Sequence, residues 1–367
     1  MYNLMGLITT NYKGTDFGTL TQERPAARLP FGGRYRLIDF PLSNMVNSGI
    51  KTVGLVTPHM YRSLLDHIGE GKEWNLARKT GGLFILPGSV YGVKNAHGKF
   101  LIRDLLQNRP FLERGGCKYV VICDASKLCN IDFREVAQAH AESGRDVTLI
   151  CKNGLFLDYP NELYLSLGSR DRVTDITIGA NKEGNCFIGA FIINLDLLLK
   201  ILDWYEDLGY MDLIDVFAER LTDFNVGAYR FSGYVGAIED LKTYMEASQD
   251  LLREDVRKLL FNMDKPIYTK VQDTAPAKYT ESSDVSSSLI ANGCIIEGTV
   301  ENSIIFRDVH IGKGSIIKNC VLMQHCDIGE HVILENIICD KYVTIKSDVQ
   351  LSASYGSPLA ISKKELI

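Results

Sequence analysis

The sequence predicts two domains, an α/β domain with a mostly parallel sheet followed by a short parallel β-helix. Up to about residue 264, continuous apolar runs alternate with helical segments, which is the pattern of a parallel sheet covered by helices on both faces. Beyond about residue 284, the sequence repeats at a fixed interval of 17 residues, which is typical of a solenoid. The predicted organisation is therefore a domain at 1–264, a linker at 265–283 and a β-helix at 284–367.

The first domain is predicted from its alternation of strands and helices. The strand-like runs lie at 2–10, 50–58, 118–125 and 146–152. The helical segments lie at 37–49, 133–144 and 241–261. Gly49 is expected to end the first helix. Ligands of parallel sheets bind at the carboxyl ends of the strands, so the loops that follow Ile8 and Ile122 are the candidate site.

The second domain is predicted from two sets of residues that repeat in register. Asparagine recurs every 17 residues, at Asn302, Asn319 and Asn336. Isoleucine recurs at the same interval, at Ile311, Ile328 and Ile345. Apolar residues also lie six apart, as from Ile311 to Ile317, and six residues on each of three faces give a coil of about 18 residues. An antiparallel sandwich with chance periodicity is the alternative, but the agreement of two registers favours a hexapeptide β-helix.

Composition and charge exclude several classes of partner. The net charge is −5 and there is no long basic run, which argues against nucleic acid and anionic membranes. No run of about 18 apolar residues predicts a membrane span, and the N-terminus lacks the basic region of a signal peptide. The nine cysteines form no CxxC pair, so we expect free thiols in a reducing cytoplasm and not a metal site.

The segment LPFGGRYRLIDFPLSNMVNSGI at 29–50 closely resembles the glucose-1-phosphate adenylyltransferase family. The resemblance covers nearly the whole chain and implies a Rossmann-like nucleotidyltransferase domain followed by a left-handed β-helix. It also implies a role in making ADP-glucose from ATP and glucose 1-phosphate. Within the family, the chain resembles the GlgD-type subunit that is found beside a catalytic GlgC-type subunit.

The phosphate-binding loop of the family is altered in this chain. When the sequences are aligned without gaps from FGG, two family glycines fall on Asn11 and Tyr12. The basic residue is Lys13 and Gly14 is retained, but the catalytic arginine falls on Asp16. Side chains at 11 and 12 block the close backbone approach that glycine allows. At about 4 Å and an effective dielectric constant near 20, a carboxylate at 16 would repel a phosphate charge by about 4 kcal/mol.

The other catalytic positions of the family are also replaced. The metal-binding aspartate of its Gly-Asp-His motif falls on Ser126, and that of its Asp-Val-Gly motif falls on Tyr234. The Glu-Lys that holds the sugar phosphate falls within 177–180, which reads TIGA. A neutral hydroxyl is a poor ligand for Mg²⁺. Asp124 shares a strand face with Ser126, so rescue of the metal site by Asp124 is an open alternative.

These replacements predict a non-catalytic regulatory subunit. It would form a hetero-tetramer with a GlgC-type subunit, although a homo-oligomer of this chain is also open. We expect no cofactor in this chain and Mg²⁺ in its catalytic partner. One alternative is an active adenylyltransferase with atypical residues. The other is a hexapeptide acyltransferase that uses a histidine of the β-helix, namely His310, His325 or His331.

The sequence allows two interpretations of several other residues. Gly32 is a candidate for the degenerate nucleotide loop, but it also fits a plain turn. Arg34 and Arg36 fit either an anionic effector or a pairing with nearby carboxylates. Lys13 and Lys94 have the same two interpretations. We further predict that the Tyr12 ring fills the place of ATP as a structural plug.

Overall fold

The computed structural model describes residues 3–12, 17–58, 60–89, 98–155, 162–179, 184–208 and 211–367. Nine α-helices lie in these ranges, all in the first domain. Their bounds are α1 Asp39–Asn47, α2 Arg62–Ile68, α3 Ile102–Gln107, α4 Arg109–Arg114, α5 Phe133–Ser143, α6 Leu195–Trp204, α7 Leu213–Glu219, α8 Leu241–Asp250 and α9 Glu254–Leu260. None of the helices described is long and apolar enough to cross a membrane.

The first domain contains thirteen of the described strands, nine of which form one sheet. The strands are β1 Leu4–Thr9, β2 Pro30–Phe31, β3 Tyr35–Arg36, β4 Thr52–Thr57, β5 Gly82–Pro87, β6 Tyr119–Cys123, β7 Lys127–Leu128, β8 Val147–Asn153, β9 Leu163–Leu167, β10 Val173–Ile178, β11 Asn185–Asn194, β12 Val226–Arg230 and β13 Gly236–Ala237. The sheet has the order β10-β9-β11-β6-β1-β4-β5, and β8 pairs with both β11 and β12. Separate apolar clusters, built around residues such as Leu7 and Ile8, cover its two faces.

The predicted fold class is confirmed, with one difference inside the sheet. Strands β5, β4, β1 and β6 are parallel neighbours, which brings the ends of β1 and β6 to one edge. The long strand β11 is antiparallel to β6, β8 and β9. The predicted strand at 146–152 therefore pairs with β11 and β12, and not with the strand before it in the chain.

The helices differ from prediction at one place. Helix α1 ends just before Gly49, whose φ of +79° is the left-handed conformation expected there. The single helix predicted at 241–261 is instead two helices, α8 and α9, which are separated by three residues. Leu251 still has a helical backbone, but Arg253 is extended, with φ −81° and ψ 131°. The amphipathic pattern continues across the break because Leu251 and Val256 both enter the same apolar cluster.

The second domain is a parallel β-helix built from three five-stranded sheets. Its strands are β14 Lys278–Tyr279, β15 Asp284–Ser286, β16 Leu289–Ile290, β17 Ile295–Ile296, β18 Thr299–Glu301, β19 Ile304–Ile305, β20 His310–Ile311, β21 Ile316–Lys318, β22 Val321–Leu322, β23 Asp327–Ile328, β24 Ile333–Glu335, β25 Ile337–Cys339, β26 Thr344–Ile345, β27 Gln350–Ser352 and β28 Leu359–Ile361. The stretch 265–283, predicted as a linker, therefore contains the first strand of the β-helix, which pairs with β17.

The asparagine repeat marks one corner of the coil. Asn302, Asn319 and Asn336 have φ values of +48°, +51° and +56°. Asparagine is one of the few residues with a side chain that adopts this left-handed conformation readily. His325 and His331 lie at other corners, with φ of +61° and +56°. The interval of 17 residues thus reflects the backbone geometry of the turns.

The two domains pack against each other through one apolar cluster. Ile304, Val321 and Ile338 form a row on the sheet of the β-helix that faces the first domain. On the other side lie Tyr244 and Leu251 of the α8 region, together with residues of β2. The β-helix therefore buries one of its three faces against the domain that carries the candidate site.

Candidate functional site

Asn11 connects the loops that follow β1 and β5. Its Nδ2 donates to the carbonyl oxygen of Ser89 at 2.8 Å and to the Asp104 carboxylate at 2.9 and 3.1 Å. The same carboxylate accepts from the backbone N–H of Ser89 at 2.7 Å. Gly88 has no room for a side chain, since a Cβ there would lie 2.4 Å from Asn11 Cγ. The asparagine thus uses its side chain to hold the two loops together.

Tyr12 lies over the carboxyl end of β6. The phenol is buried, and its oxygen accepts a hydrogen bond from the backbone N–H of Ala125 at 3.3 Å. Lys99 Nζ lies 5.4 Å from the centre of the ring. Burial, and then the nearby charges of Asp124 and Glu239, raise the pKa of Tyr12 well above its ordinary value, so the hydroxyl stays protonated. The ring therefore covers the edge where parallel sheets bind ligands.

A cluster of two lysines, three carboxylates and one hydroxyl lies beneath Tyr12. We call it the lysine–carboxylate cluster, and its members are Lys99, Asp124, Ser126, Lys127, Glu162 and Glu239. They come from the segment before α3, the end of β6, strand β7, the segment before β9 and the segment before α8. The five members other than Lys99 are each less than a tenth exposed.

Ser126 lies at the centre of the cluster. Its Oγ accepts from Lys99 Nζ at 2.6 Å and lies 2.8 Å from Glu239 Oε1 and 3.0 Å from Asp124 Oδ1. The backbone N–H of Ser126 donates to the same Asp124 oxygen at 2.8 Å. Asp124 fits only because residue 189 is glycine, since a Cβ there would lie 2.5 Å from Asp124 Oδ2. The structure thus brings Ser126 and Asp124 together, but through this local hydrogen bond and not on one strand face, because β6 ends at Cys123.

The two lysines neutralise most of the buried negative charge. Lys99 Nζ lies 2.5 Å from Glu239 Oε1 and 3.4 Å from Asp124 Oδ2. Lys127 Nζ donates to Glu162 and lies 3.0 Å from the same Glu239 oxygen. Burial alone would lower the pKa of both lysines, but the carboxylates outweigh it and raise the pKa of each. Burial likewise opposes the charge of Glu239, but the two ammonium groups hold its pKa below the ordinary value.

Tyr234 lies apart from this cluster. Its hydroxyl hydrogen-bonds the Asp250 carboxylate of α8 at 2.9 Å, and burial followed by that charge raises the pKa of Tyr234. The carboxylate that reaches Ser126 is Glu239, five residues farther along the chain. Sequence reasoning missed Glu239, Glu162 and Lys99, because no family motif marks them. The acidic segment AIED, which directly follows Tyr-Val-Gly, is the one sequence signal by which Glu239 could have been found.

Gly32 lies in a different place from Asn11 and Tyr12. It has a φ of +57° in the turn between β2 and β3, which agrees with the plain-turn interpretation. With Gly33 and Arg34 it lines a cleft against the β-helix, opposite Arg307. Lys13, Gly14, Asp16 and Lys94, along with Ala180, lie outside the described residues, so the expectations for them stay predictions.

A second cleft between the domains is basic. Its volume is about 260 Å³, and Arg24, Arg28, Lys341 and Lys363 line it. Arg24 pairs with Asp340, and Lys363 Nζ lies 2.6 Å from the exposed Glu23. Lys341 has a pKa lowered to about 6, first by burial and then by the charges of Arg36, Arg28 and Arg24. Cations are therefore crowded in this cleft.

Comparisons with known proteins cover both domains. The nucleotidyl transferase family model matches residues 7–154, and the model for the GlmU-like C-terminal hexapeptide matches 274–354. The chain is 35% identical to the glycogen biosynthesis protein GlgD of Bacillus subtilis, over 99% of this chain and 97% of that protein. The chain belongs to the family of GlgD and glucose-1-phosphate adenylyltransferase. The family membership predicted from the segment 29–50 is therefore confirmed.

Both branches of this family appear among the relatives. A GlgD protein of Geobacillus stearothermophilus is 38% identical over 81% of this chain and 78% of its own length. A glucose-1-phosphate adenylyltransferase of Clostridium perfringens is 31% identical over 89% of this chain and 84% of its own length. The similarity extends through both domains, so the candidate site lies on a scaffold that this family shares.

The family resemblance implies Mg²⁺ in catalytic members, but the oxygen donors here do not fit a hydrated divalent ion. Mg²⁺ requires near-octahedral oxygen ligands at about 2.1 Å and keeps several waters. The available oxygens of Asp124, Ser126 and Glu239 already surround the Lys99 ammonium. The arrangement can hold the loops of the sheet edge in place. It offers no free carboxylate pair for a metal among these residues.

Proposed function

We propose that this chain is a regulatory subunit, without catalytic activity of its own, of a cytoplasmic glucose-1-phosphate adenylyltransferase in glycogen synthesis. The single observation that carries the proposal is the lysine–carboxylate cluster at the ends of β1 and β6. A role in glycogen synthesis is supported by the GlgD relatives, which are named as glycogen biosynthesis proteins. The adenylyltransferase relatives support the reaction to which the chain contributes.

The chemistry of the reaction explains why the cluster supports a non-catalytic role. A sugar-phosphate oxygen must attack the α-phosphate of ATP, so two anions meet and developing charge must be neutralised. Free cationic groups and a metal usually supply that neutralisation. In this chain Lys99 and Lys127 are instead paired with Asp124, Glu162 and Glu239 beneath the ring of Tyr12. The charges of this edge are thus paired with one another within the protein.

A regulatory subunit needs a partner that responds to it. We propose a GlgC-type catalytic chain as that partner, in a hetero-tetramer, while a homo-oligomer of this chain is the alternative. The regulatory chain would change the substrate or effector affinity of its partner through their shared interface. Coupling of this kind is typically worth about 1–3 kcal/mol, or about 5- to 150-fold in affinity.

The test is pyrophosphate release from ATP and glucose 1-phosphate with Mg²⁺. Three samples are compared: this chain alone, the GlgC-type chain of the same cell alone, and both mixed. We expect this chain alone to be inactive and the mixture to exceed the catalytic chain. Turnover by this chain at an ordinary enzyme rate would instead support the alternative, an active adenylyltransferase with atypical residues. A mixture that only equals the catalytic chain contradicts regulation.

We further propose that the basic cleft binds an anionic effector. The observation that favours it is the crowding of Arg24, Arg28 and Lys341 in an open cleft at the domain boundary. An anion there would relieve the repulsion between these cations, and it would contact both domains at once. Effector binding would therefore influence how the domains pack and, through them, any partner interface.

Sulfate binding tests the cleft, because the charge of sulfate is constant between pH 6 and 8. The pKa of Lys341 is lowered to about 6, so the cleft gains a positive charge as the pH falls towards that value. We expect several-fold tighter sulfate binding at pH 6 than at pH 8, measured by calorimetry. K341M should bind weakly with no such pH dependence, whereas K51M, which changes an exposed lysine elsewhere, should behave as wild type. Equal binding by wild type and K341M contradicts the proposal.

A further inference from the structure

The surroundings of Lys99 Nζ resemble the ligand shell of a metal ion. Three oxygens face the ammonium group: Ser126 Oγ at 2.6 Å, Glu239 Oε1 at 2.5 Å and Asp124 Oδ2 at 3.4 Å. The three belong to two separate segments of the chain, and both carboxylates are buried. Carboxylate oxygens are the donors that hard divalent cations prefer, and the serine hydroxyl adds a weaker oxygen ligand beside them.

The number of oxygens and their distances from Nζ suit an ammonium group better than a metal. A lysine ammonium has three N–H donors, and here it meets three acceptor oxygens. Nζ also lies over the Tyr12 ring, 5.4 Å from the ring centre, which is a favourable position for a cation. A hydrated Mg²⁺ would need the space that this ring and the lysine side chain now fill.

We propose that Lys99 is a built-in substitute for a divalent cation, and that its ammonium group closes a latent metal site formed by Asp124, Ser126 and Glu239. The site takes no metal while Lys99 is present, because the ammonium group and a metal compete for the same oxygens. Lys127 supports this arrangement because its ammonium group contacts the same Glu239 oxygen as Lys99 does. The inference concerns cation binding by the isolated chain, and it does not depend on the proposed regulatory role.

Replacement of Lys99 tests the inference through gain of metal binding. In K99M the charge is lost while the length of the side chain is nearly kept, and K99A also leaves room for bound water. Mn²⁺ serves as the probe, and its free concentration is followed by electron paramagnetic resonance without nucleotide or partner. We expect one saturable Mn²⁺ site per chain in at least one of the two variants, at least tenfold tighter than any binding by wild type.

Control variants assign the new site to the proposed oxygens. D124N in the K99M or K99A background should abolish the gained site, because an amide is a much weaker ligand than a carboxylate. K118M removes an exposed lysine directly before β6, and it should bind as little Mn²⁺ as wild type. Mn²⁺ should also raise the thermal midpoint of the Lys99 variants but not that of K118M.

Three results would overturn the inference. One is a saturable Mn²⁺ site in wild type that D124N abolishes, since the ammonium group would then not exclude the metal. Another is the absence of a gained site in both folded Lys99 variants. The last is failure of both variants to fold at any Mn²⁺ concentration, because a metal should replace the lost ammonium group.

Discussion

At the scale of single residues, Tyr12 packs its side chain inside the loop that follows β1. Its ring is nine-tenths buried, and its hydroxyl gives the backbone N–H of Ala125 an acceptor that would otherwise be missing. Asn11 does the same for the next loop by pairing with Ser89 and Asp104. Two adjacent side chains therefore hold together three loops of the sheet edge, and their contribution to stability is measurable.

Substitution of Tyr12 should separate packing from hydrogen bonding. We expect Y12A to lower the free energy of unfolding by about 3 kcal/mol, since it removes a buried ring. Y12F should cost only about 1 kcal/mol, because it leaves the Ala125 N–H without its acceptor but keeps the ring. Urea denaturation followed by fluorescence measures both. Y61A, at a half-exposed tyrosine, is the control and should be nearly neutral.

The sequence predicted the altered residues but not their new partners. Asn11, Tyr12 and Ser126 stand out because glycines and an aspartate are expected there. Lys99, Glu162 and Glu239 gave no such signal, because buried charges are recognised only once the fold brings their segments together. A pairing between residues 140 positions apart, as for Lys99 and Glu239, has no local pattern in the sequence.

At the scale of single elements, a buried carboxylate at the start of α7 accepts two backbone hydrogen bonds. Asp212 Oδ1 accepts from the backbone N–H of Ile214 and caps the helix, at 2.9 Å. Its other oxygen accepts from the backbone N–H of Phe100 at 2.7 Å, which anchors the segment that delivers Lys99. Burial raises the pKa of Asp212 to about 6, even though both hydrogen bonds favour the ionised form.

The raised pKa of Asp212 predicts a defined pH dependence of stability. Because the folded-state pKa lies above the unfolded value of about 4, its contribution is present below pH 4 and is lost as the pH rises through about 6. D212N cannot ionise, and because its amide nitrogen cannot accept, it loses one of the two hydrogen bonds at every pH. Relative to wild type, D212N should therefore gain up to roughly 3 kcal/mol between pH 4 and 6 and then level off. Urea unfolding at a series of pH values measures the difference, and a flat difference would contradict it.

The backbone conformation of the β-helix corners predicts how much a single asparagine contributes to thermal stability. Asn319 has a φ of +51°, which costs an L-residue such as alanine about 1 kcal/mol more than it costs asparagine or glycine. N319A should therefore lower the thermal midpoint, while N319G should leave it close to that of wild type. An equal loss in both variants would show that the asparagine side chain, and not its backbone conformation, is what the corner requires.

The elements that the sequence predicted best are those with a strict period. The repeat of Asn302, Asn319 and Asn336 located the coils because every corner has the same backbone geometry. The break between α8 and α9 was missed, since both helices bury one face in the same cluster and the apolar pattern runs on across it. The order of the strands beyond β6 was also missed, because β11 gives no sequence signal for its antiparallel direction.

At the scale of the whole molecule, the β-helix is fused to the first domain by a shared core. Val321 of β22 is completely buried in the cluster that also contains Tyr244 and Leu251. Ile316, five residues earlier in the same coil, faces outwards and is 45% exposed. Substitutions at these two residues can therefore distinguish an effect on the interdomain contact from an effect on the coil alone.

A charge placed in this shared core should uncouple the domains. V321D buries a carboxylate without a partner, so we expect the loss of several kcal/mol and a split of the thermal transition into two. I316D introduces the same charge on the open face of the same coil and should keep a single transition near that of wild type. Differential scanning calorimetry measures both. A single, equally shifted transition in the two variants would contradict the shared core.

The lysine–carboxylate cluster also governs which changes of sequence are accessible. Removal of Lys99 leaves the buried Asp124 without its lysine partner, and removal of Lys127 does the same to Glu162, each at a cost of about 3–5 kcal/mol. Introduction of an aspartate at 126 alone adds another negative charge to a cluster that already has three. Every single step from this arrangement towards an open metal site thus passes through a less stable protein. Single substitutions therefore tend to preserve the cluster, and several simultaneous changes would be needed to replace it.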